Sequence, residues 1–386
     1  MDDFSEIVNS EENSRSENIL FETLKSGTGI LFVGSGCSIR LKYPSWKGLL
    51  EKFSQKIEDP KCKEIIENRL SQDDYLIAAE IIKRKLTEEN PSHYEDTFKE
   101  EFAPKEPPYH EFHKTLVDLR VKGFITTNYD PVIGSALRNK NLEKPHICEV
   151  MISEYTKPQV HSFIKSLSNL NTDTRSVLHL HGKHDIPLST ILSYGDYMEK
   201  YNGIPLSQKD FEENFLNGSV DVETFERRAG IKERSLRTVH YRVVYSLMAT
   251  QRLIYIGFGL SDPYWNKIVT DIQGDFHPYN DPSHIALVSS NEFKGKTIED
   301  YINLKEKWRY KGIEIVVYKD KEDYYGIDDY LLLLPPETLI STRKKDQDEA
   351  VIEKDTNLDI PVISDIKVNR KLKKKAITSI DDLRKK

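Results

Sequence analysis

Three polar residues that follow largely apolar runs in this chain could together cleave the glycosidic bond of a nucleotide. Asn128 and Asp130 come shortly after the run Gly123–Ile125, and His181 follows the run Val177–Leu180. A carboxamide both donates and accepts hydrogen bonds, which suits the positioning of a water or a ribose hydroxyl. A carboxylate can accept from a substrate amide, and an imidazole can act as a general base near neutral pH. These residue types predict one site that combines the three side chains.

Each of these residues also has a purely structural explanation. Asp130 precedes Pro131 and could cap a helix that begins there. Asn128 could be a turn-forming asparagine, and His181 could be a histidine bonded to a neighbouring loop. The sequence leaves these alternatives open.

A pair of histidines raises the alternative of a metal site. His179 and His181 are two residues apart, so both side chains share a face while the strand lasts. The nearest candidates for a third ligand are His184 and Asp185, and their spacing does not indicate either. We therefore predict no metal site. Because Gly182 follows at the end of the strand, His181 is expected to reach a cleft.

Two glycine-containing turns also follow apolar strands. The first is Gly34–Ser38 (Gly-Ser-Gly-Cys-Ser) and the second is Gly257–Gly259 (Gly-Phe-Gly). Glycines at such turns let backbone N–H groups approach a pyrophosphate or a ribose. The first turn lacks the third glycine of the usual dinucleotide fingerprint, so a tight strand-to-helix turn is the alternative. Asp262, which precedes Pro263, is predicted to cap a helix rather than to take part in chemistry.

Composition restricts the class of protein without indicating a reaction. The chain has 386 residues, of which 31% are charged and 38% hydrophobic, and its net charge is −7. These values describe a soluble globular protein with no overall attraction to nucleic acid or membrane. The acidic N-terminus lacks the pattern of a secretory signal, and three scattered cysteines cannot build a disulfide framework. We expect a cytoplasmic protein with no membrane partner.

Short β-branched runs alternate with helical patterns along most of the chain. This alternation predicts an α/β fold with a Rossmann-like, doubly wound parallel sheet and helices on both faces. The predicted strands are Gly29–Gly34, Phe124–Thr126, Ile147–Val150, Val177–Leu180, Leu253–Ile256, His284–Val288 and Ile313–Tyr318. The predicted organisation is a polar N-terminal lead-in helix (1–27, helical at about Ile19–Lys25), a main domain (28–335) with helical insertions at about 47–118 and 194–250, and a charged, basic C-terminal tail (336–386).

The two glycine-containing turns, the Thr126–Asp130 stretch and the His181-Gly182 pair carry a family resemblance. In their order along the chain, these four elements resemble the NAD-binding core of the sirtuin-like superfamily over about residues 28–320. Gly34–Ser38 resembles its glycine-alanine-glycine phosphate turn, Thr126–Asp130 its Thr-Gln-Asn-Ile-Asp motif, and His181-Gly182 its catalytic His-Gly pair. Gly257–Leu260 resembles the late turn at the ribose. The resemblance implies that NAD is the substrate, that Asn128 and His181 are catalytic, and that NAD is contacted by Gly34, Ser35, Gly36, Ser38, Thr127, Asp130, Gly257 and Gly259.

Two departures from the protein-deacylating sirtuins narrow the resemblance. Those enzymes hold a structural zinc with two Cys-x-x-Cys pairs, whereas this chain has no cysteine after Cys148. We therefore expect no zinc and no zinc subdomain, with charged helices at 194–250 in its place. The Pro-Asp-Phe-Arg stretch that follows the first turn in those enzymes is also missing, and Pro44–Trp46 (Pro-Ser-Trp) stands near its place. Together with Thr127–Asp130 (Thr-Asn-Tyr-Asp), this stretch is similar to the sirtuin-like effectors of bacterial anti-phage defence.

That similarity implies an NAD+ hydrolase (NADase) that releases nicotinamide and ADP-ribose and depletes NAD in anti-phage defence. The chain most resembles the sirtuin-like subunit that assembles with a HerA-type ATPase, so we expect a homo-oligomer, that partner, and nucleic acid reached through it. The alternatives are a nucleotide-binding scaffold, a DNA-processing nuclease subunit of the same complex, and a protein deacylase. The sequence indicates neither an acyl-lysine channel nor a carboxylate cluster suited to two metal ions.

Overall fold

The computed structural model of this chain describes residues 4–140, 149–168, 170, 175–216, 218, 220–228, 238–260, 262–276, 283–321 and 325–340. Within these residues, seven strands form one sheet: β1 (Gly29–Val33), β2 (Phe124–Thr126), β3 (Glu149–Met151), β4 (Val177–His179), β5 (Arg252–Ile256), β6 (His284–Ser289) and β7 (Ile313–Tyr318). All pairings are parallel, and the order is β3-β4-β2-β1-β5-β6-β7. The predicted fold class is confirmed. Two residues of the predicted third strand, Ile147 and Cys148, lie outside the described part of the chain.

The central strand β1 is apolar along its whole length because both faces of the sheet are covered there. Every residue of β1 is buried. Ile30 and Phe32 belong to one hydrophobic core, and Leu31 and Val33 belong to a second core on the opposite face. This alternation shows why a continuous apolar run is needed at the centre of the sheet.

Sixteen α-helices lie in the described residues. Their bounds are α1 (Phe4–Val8), α2 (Glu11–Ser26), α3 (Trp46–Lys56), α4 (Pro60–Ser71), α5 (Tyr75–Glu89), α6 (Pro91–Glu101), α7 (Glu111–Asp118), α8 (Val132–Lys140), α9 (Lys157–Ser166), α10 (Tyr194–Tyr197), α11 (Gln208–Phe211), α12 (Val222–Arg228), α13 (Val239–Thr250), α14 (Pro263–Phe276), α15 (Ile298–Tyr310) and α16 (Gly326–Leu332).

Strand order places a ligand-binding crevice beside the central strand. From β1 the chain moves to β2 on one side, and it later crosses to β5 on the other side of β1. Connections that leave in opposite directions open a crevice at the carboxyl ends of the strands, where open α/β sheets bind ligands. The turns that follow β1, β2, β4 and β5 all meet at this edge.

The N-terminal helix is longer than the sequence predicts. The prediction began the helix near Ile19, whereas α2 begins at Glu11 with Ser10 as its cap. The error arises because the polar residues Asn13 and Ser16 are fully buried rather than solvated. Asn13 bonds to the backbone of Val317 in β7, so the polar half of α2 docks on the edge of the sheet.

The helices α3 to α6 form a layer that covers one face of the sheet above the crevice. Their buried residues, Leu50, Phe53, Ile77, Ile81 and Phe98, belong to the same core as Phe32 of β1. The segment that contains α10 to α13 contributes a second cover, with Tyr197 of α10 and Tyr201, which follows α10, in that core.

Toward the C-terminus, the described residues continue beyond 335, where the main domain is predicted to end. Ile340 donates from its backbone N–H to Asp118, and Leu339 pairs with Leu119. The remainder of the predicted basic tail, 341–386, lies outside the described residues. No helix in the described part of the chain is both long enough and apolar enough to cross a membrane.

Candidate active site

Close packing of two turns explains the glycines after β1 and β5. The two strands pair directly, with Val33 beside Ile256, so their following turns touch. Gly36 donates to the carbonyl of Gly257 at 2.9 Å, and a Cβ on Gly34 would lie only 2.3 Å from that carbonyl oxygen. Gly257 has a φ of +62°, a conformation that suits glycine. The sequence predicts that these glycines let a pyrophosphate approach, whereas the space beside Gly34 and Gly36 holds protein backbone.

Asn128 is held in place by the hydrogen bonds that it donates to the turn after β1 and to its own strand. Its side-chain nitrogen donates to the Gly34 carbonyl at 3.0 Å and to the Ser38 hydroxyl at 3.1 Å. Its backbone N–H donates to the hydroxyl of Thr126, which in turn donates to the Val33 carbonyl. The carboxamide therefore has a fixed plane, and the residue also has the turn-stabilising role that was left open. It lines the cavity that is described below.

Asp130 both caps a helix and faces the cavity. Its Oδ1 accepts from the backbone N–H of Val132 at 3.1 Å, which confirms the predicted capping contact at the start of α8. Burial raises its pKa, and hydrogen bonds from the Ser38 hydroxyl and the Val132 N–H act in the opposite direction. Ser38 thus accepts from Asn128, and its hydroxyl also acts on the pKa of Asp130, so it connects the two side chains.

The two histidines of the β4 region have different environments. His179 is the last residue of β4, and its Nδ1 and Nε2 lie 3.2 Å from the Asn128 carbonyl and from Glu149, respectively. Burial lowers the pKa of His179 to about 4, so its ring is neutral at pH 7. The strand ends there, so strand alternation no longer determines the direction of His181. His181 faces the cavity, as predicted, whereas His179 lies behind it.

His181 lies beside a carboxylate and an aromatic ring. Its Nε2 is 3.9 Å from Oδ2 of Asp262, and its ring meets that of Tyr197 edge-on with centroids 5.4 Å apart. Burial lowers the pKa of His181, and the charge of Asp262 partly offsets this effect. A neutral imidazole at pH 7 can accept a proton from a substrate or a water.

A cavity of about 390 Å³ brings most of the predicted residues together. This volume lies within the range of about 300–1,000 Å³ that is common for ligand sites. Of the ten predicted site residues, those that line the cavity are Ser35, Ser38, Thr127, Asn128, Asp130, His181 and Gly259. The other three, Gly34, Gly36 and Gly257, do not line it and serve instead in the packed turns.

Sequence reasoning missed the residues that form the walls and roof of the cavity. Asp262 is the predicted helix cap at Pro263, and it also reaches His181. Tyr197 comes from α10, while Trp46 and Tyr75 come from the helical layer above the crevice. The sole signal for Asp262 was its position just after the Gly257–Gly259 turn. Nothing in the local pattern of the aromatic residues distinguishes a cavity wall from a core.

The described residues contain no group of three or more His, Cys, Asp or Glu side chains placed to hold a metal ion. His179, one half of the histidine pair, instead bonds to protein at both ring nitrogens.

Comparison with known proteins identifies a family and several distant relatives. Residues 122–316, just over half of the chain, match the family described as SIR2-like domain. The chain is 23% identical to NAD(+) hydrolase ThsA of Enterococcus faecium over 75% of its own length and 49% of the relative. It is 24% identical to defense-associated sirtuin 2 of Bacillus subtilis, over 76% of its own length and 25% of the relative. It is also 24% identical to NAD(+) hydrolase ThsA of Bacillus cereus, over 70% of its own length and 44% of the relative.

This chain therefore spans about half or less of the length of these relatives. The family match includes Asn128, Asp130, His181 and the Gly257–Gly259 turn, and the cavity that these elements share with the first turn has the position expected for a nucleotide site in such a sheet. The chain belongs to the family of SIR2-like domains.

Proposed function

We propose that this chain hydrolyses NAD+ to nicotinamide and ADP-ribose in the cavity at the carboxyl ends of β1, β2, β4 and β5. The observation that carries the proposal is the convergence of Asn128, Asp130 and a buried, neutral His181 on one cavity. Two of the relatives are named NAD(+) hydrolases, which supports NAD as the substrate.

Each polar side chain has a role that follows from its position. Asn128, whose carboxamide plane is fixed by Gly34 and Ser38, orients the attacking water beneath the anomeric carbon of the ribose. Asp130 accepts from the nicotinamide carboxamide. His181 takes the proton. The phosphates and the ribose contact the other predicted residues that line the cavity, which are Ser35, Ser38, Thr127 and Gly259. The glycines of the packed turns, Gly34, Gly36 and Gly257, allow those turns to approach each other.

The reaction balances without a further co-reactant. The oxygen of water bonds to the anomeric carbon, and the bond from that carbon to the nicotinamide nitrogen breaks, so nicotinamide leaves with the electron pair. The proton lost by water passes to His181. Because the cationic nicotinamide ring of NAD+ becomes neutral when it leaves, it is a good leaving group, and positioning and charge stabilisation supply most of the acceleration.

The biological setting is proposed from the relatives. The names of the hydrolase and defence-associated relatives support a role in which NAD depletion limits phage infection. Under this proposal the chain acts as a homo-oligomer in the cytoplasm, bound to a HerA-type ATPase that brings it close to nucleic acid. A main catalytic domain at 28–335 would carry the reaction.

Incubation of the purified chain with NAD+, with separation of the products by chromatography, tests the proposed reaction. We expect equal amounts of nicotinamide and ADP-ribose, independent of acetylated peptide. Asn128→Ala and His181→Ala are each expected to lower turnover by at least about 100-fold, because each removes a group that positions or deprotonates the nucleophile. His161→Ala, at an exposed histidine of α9, is the matched control and should retain wild-type turnover.

Near wild-type turnover in both cavity variants would contradict the assignment. Parallel reactions with acetylated peptide and with DNA examine the deacylase and nuclease alternatives. Adding a HerA-type ATPase shows whether the partner changes the rate. A chain that binds NAD+ without turnover, alone and with the partner, would support the scaffold alternative.

A further inference from the structure

Three hydrogen-bond donors hold the Asp262 carboxylate at the wall of the cavity. Its Oδ1 accepts from the backbone N–H groups of Tyr264 and Trp265, both at 2.9 Å, at the start of α14. These bonds confirm the capping role that the sequence predicts. The cap occupies only one of the two oxygens, however. Oδ2 points away from the helix and accepts from the hydroxyl of Tyr197 at 2.6 Å.

The same oxygen faces His181. Its distance to Nε2 is 3.9 Å, and the side chains of His181 and Asp262 are only 8% and 12% exposed. Among the described residues, no other carboxylate lies within 4 Å of a ring nitrogen of His181. At 3.9 Å the contact is too long for a hydrogen bond, so the interaction is electrostatic. Tyr197 prevents the carboxylate from turning away.

Asp130 and Lys47 also line the cavity, but the charge that acts on the pKa of His181 is that of Asp262. The other titratable groups packed around His181 are uncharged. Tyr197 from α10 presents the edge of its ring, and its buried hydroxyl is neutral because burial holds its pKa well above the ordinary value. His240 from α13 is neutral as well, since burial lowers its pKa to about 3. Tyr201, packed against His240, has a pKa raised by burial. The negative charge that faces His181 from these elements is that of Asp262.

We propose that Asp262 is a positioning residue that acts through His181, with Tyr197 fixing its carboxylate, and that it stabilises the imidazolium formed when His181 takes the proton of water. This inference rests on the proposed hydrolysis of NAD+. The proton moves from water to His181, and Asp262 keeps its charge throughout. The N-cap of α14 thereby links a helix terminus to the chemistry at the end of β4.

The physical need for this carboxylate follows from burial. A charged imidazole is costly in a site from which water is excluded, and a fixed opposite charge within about 4–6 Å raises a pKa by about one to three units. Without Asp262, His181 would be a weaker base in the same geometry. A capping residue with no other function would not have this effect.

Asp262→Asn separates the charge from the cap. Asparagine is a good N-cap, so its side-chain oxygen can still accept from Tyr264 and Trp265. We expect kcat to fall by about 10–10³-fold, because each of the one to three pKa units that the charge supplies corresponds to at most a tenfold change, with a smaller change in KM. The acid limb of the pH profile of kcat/KM should move to lower pH by about one unit or more, because loss of the charge lowers the pKa of His181.

Asp271→Asn is the matched control. Asp271 lies on the same helix and accepts from the hydroxyl of Tyr241 at 2.8 Å, but it does not line the cavity. This variant should keep the wild-type rate and pH profile. Tyr197→Phe should retain the acid limb and lower kcat by several fold, because the carboxylate loses one of its three donors.

A titration of His181 by NMR makes the proposal testable even if the chain does not hydrolyse NAD+. The resonance is identified by its absence in His181→Asn, and its pKa is compared between the wild type and Asp262→Asn. We expect a lower pKa in the variant. If the wild type lacks NAD+ hydrolysis, the proposed function fails, and the titration still decides whether Asp262 acts on His181. A folded Asp262→Asn protein with an unchanged His181 pKa, or with a reduced rate and an unmoved acid limb, would overturn the inference.

Discussion

Two groups of buried polar side chains lie at different places on the same sheet. One group lines a cavity, and the other is enclosed by protein. The first, the cavity group, consists of Ser38, Asn128, Asp130 and His181. The second, the edge group, consists of Asn13, Ser16, Lys305 and Glu314. Both groups are largely buried, and both draw residues from distant parts of the chain.

The edge group connects elements of the protein to one another. Asn13 of α2 forms two hydrogen bonds with the backbone of Val317 in β7, the strand at the edge of the sheet. Its side chain thus satisfies the backbone groups that a further strand would otherwise bind. Ser16 donates to Glu314, and Lys305 lies 3.1 Å from the same carboxylate. The cavity group is also hydrogen-bonded internally, but one side of it faces a space of about 390 Å³.

This difference separates buried polar groups that stabilise the fold from those that bind a ligand. A buried polar group without a partner costs free energy, so a group that leaves capacity toward a cavity is retained at some cost to stability. Substitutions in the edge group should lower stability and spare turnover per folded molecule. Substitutions in the cavity group should lower turnover per folded molecule and leave stability equal or higher.

Lys305→Met is the largest expected effect on stability. Lys305 is 3% exposed, lies 3.1 Å from Glu314, and donates to the backbone carbonyl of Glu12 at 2.7 Å. Its removal leaves the buried Glu314 carboxylate with only the more distant guanidinium of Arg309, whose Nε lies 3.9 Å away. Loss of the close partner of a buried ion pair typically costs about 3–5 kcal/mol. Urea denaturation would measure this loss in the free energy of unfolding. The double variant Lys305→Met, Glu314→Gln should recover part of it, and no recovery would contradict the ion-pair explanation.

Asn13→Ala should lower the free energy of unfolding by at least about 2 kcal/mol, since each of two buried groups that lose their partner costs about 1–3 kcal/mol. The two groups concerned are the N–H and carbonyl of Val317, which bond to Asn13 at 2.8 and 2.9 Å. Asn18→Ala, at an exposed position of the same helix, is the control and should change stability by less than about 0.5 kcal/mol. Loss of NAD+ turnover in folded Asn13→Ala would break the distinction between the two groups.

Asp130→Asn is expected to have the smallest effect on stability, and this effect is opposite in sign to those of Lys305→Met and Asn13→Ala. Burial raises the pKa of Asp130, so the ionised carboxylate is disfavoured in the folded state at neutral pH. An asparagine can keep the cap at Val132, and the free energy of unfolding should stay equal or rise by about 0.5–2 kcal/mol. NAD+ turnover should nevertheless fall, because the side chain that recognises the carboxamide has changed.

The pH dependence of this difference follows from the sign of the shift. Below the ordinary aspartate value of 3.8, Asp130 is protonated in both the folded and the unfolded chain and carries no penalty. As the pH rises, the unfolded chain ionises first, so the wild type loses stability relative to Asp130→Asn. Thermal melts of both proteins between about pH 4 and 7 should diverge. A wild type that gains stability relative to the variant over this range would show that Asp130 belongs with the edge group.

Local patterns in the sequence predicted the sheet and the main polar side chains of the cavity, but not its walls and roof. The strands are short apolar runs, and Asn128, Asp130 and His181 follow such runs directly, so their place at one edge of a parallel sheet was predictable. The N-terminal helix was predicted too short because Asn13 and Ser16 look like solvated residues. Their burial depends on β7, which lies about three hundred residues further along the chain.

What the sequence by itself determined is therefore the order of elements, the α/β class and the residue types at the strand ends, because periodicity and turn chemistry act within a few residues. Tertiary structure decided three other matters. It put the Gly257 backbone in the space beside Gly34, turned His181 toward the cavity while His179 bonds behind it, and placed Asp262 beside His181. Parallel strands are joined by long crossovers, so neighbours at the end of such a sheet are distant in sequence, and only the assembled sheet brings them into contact.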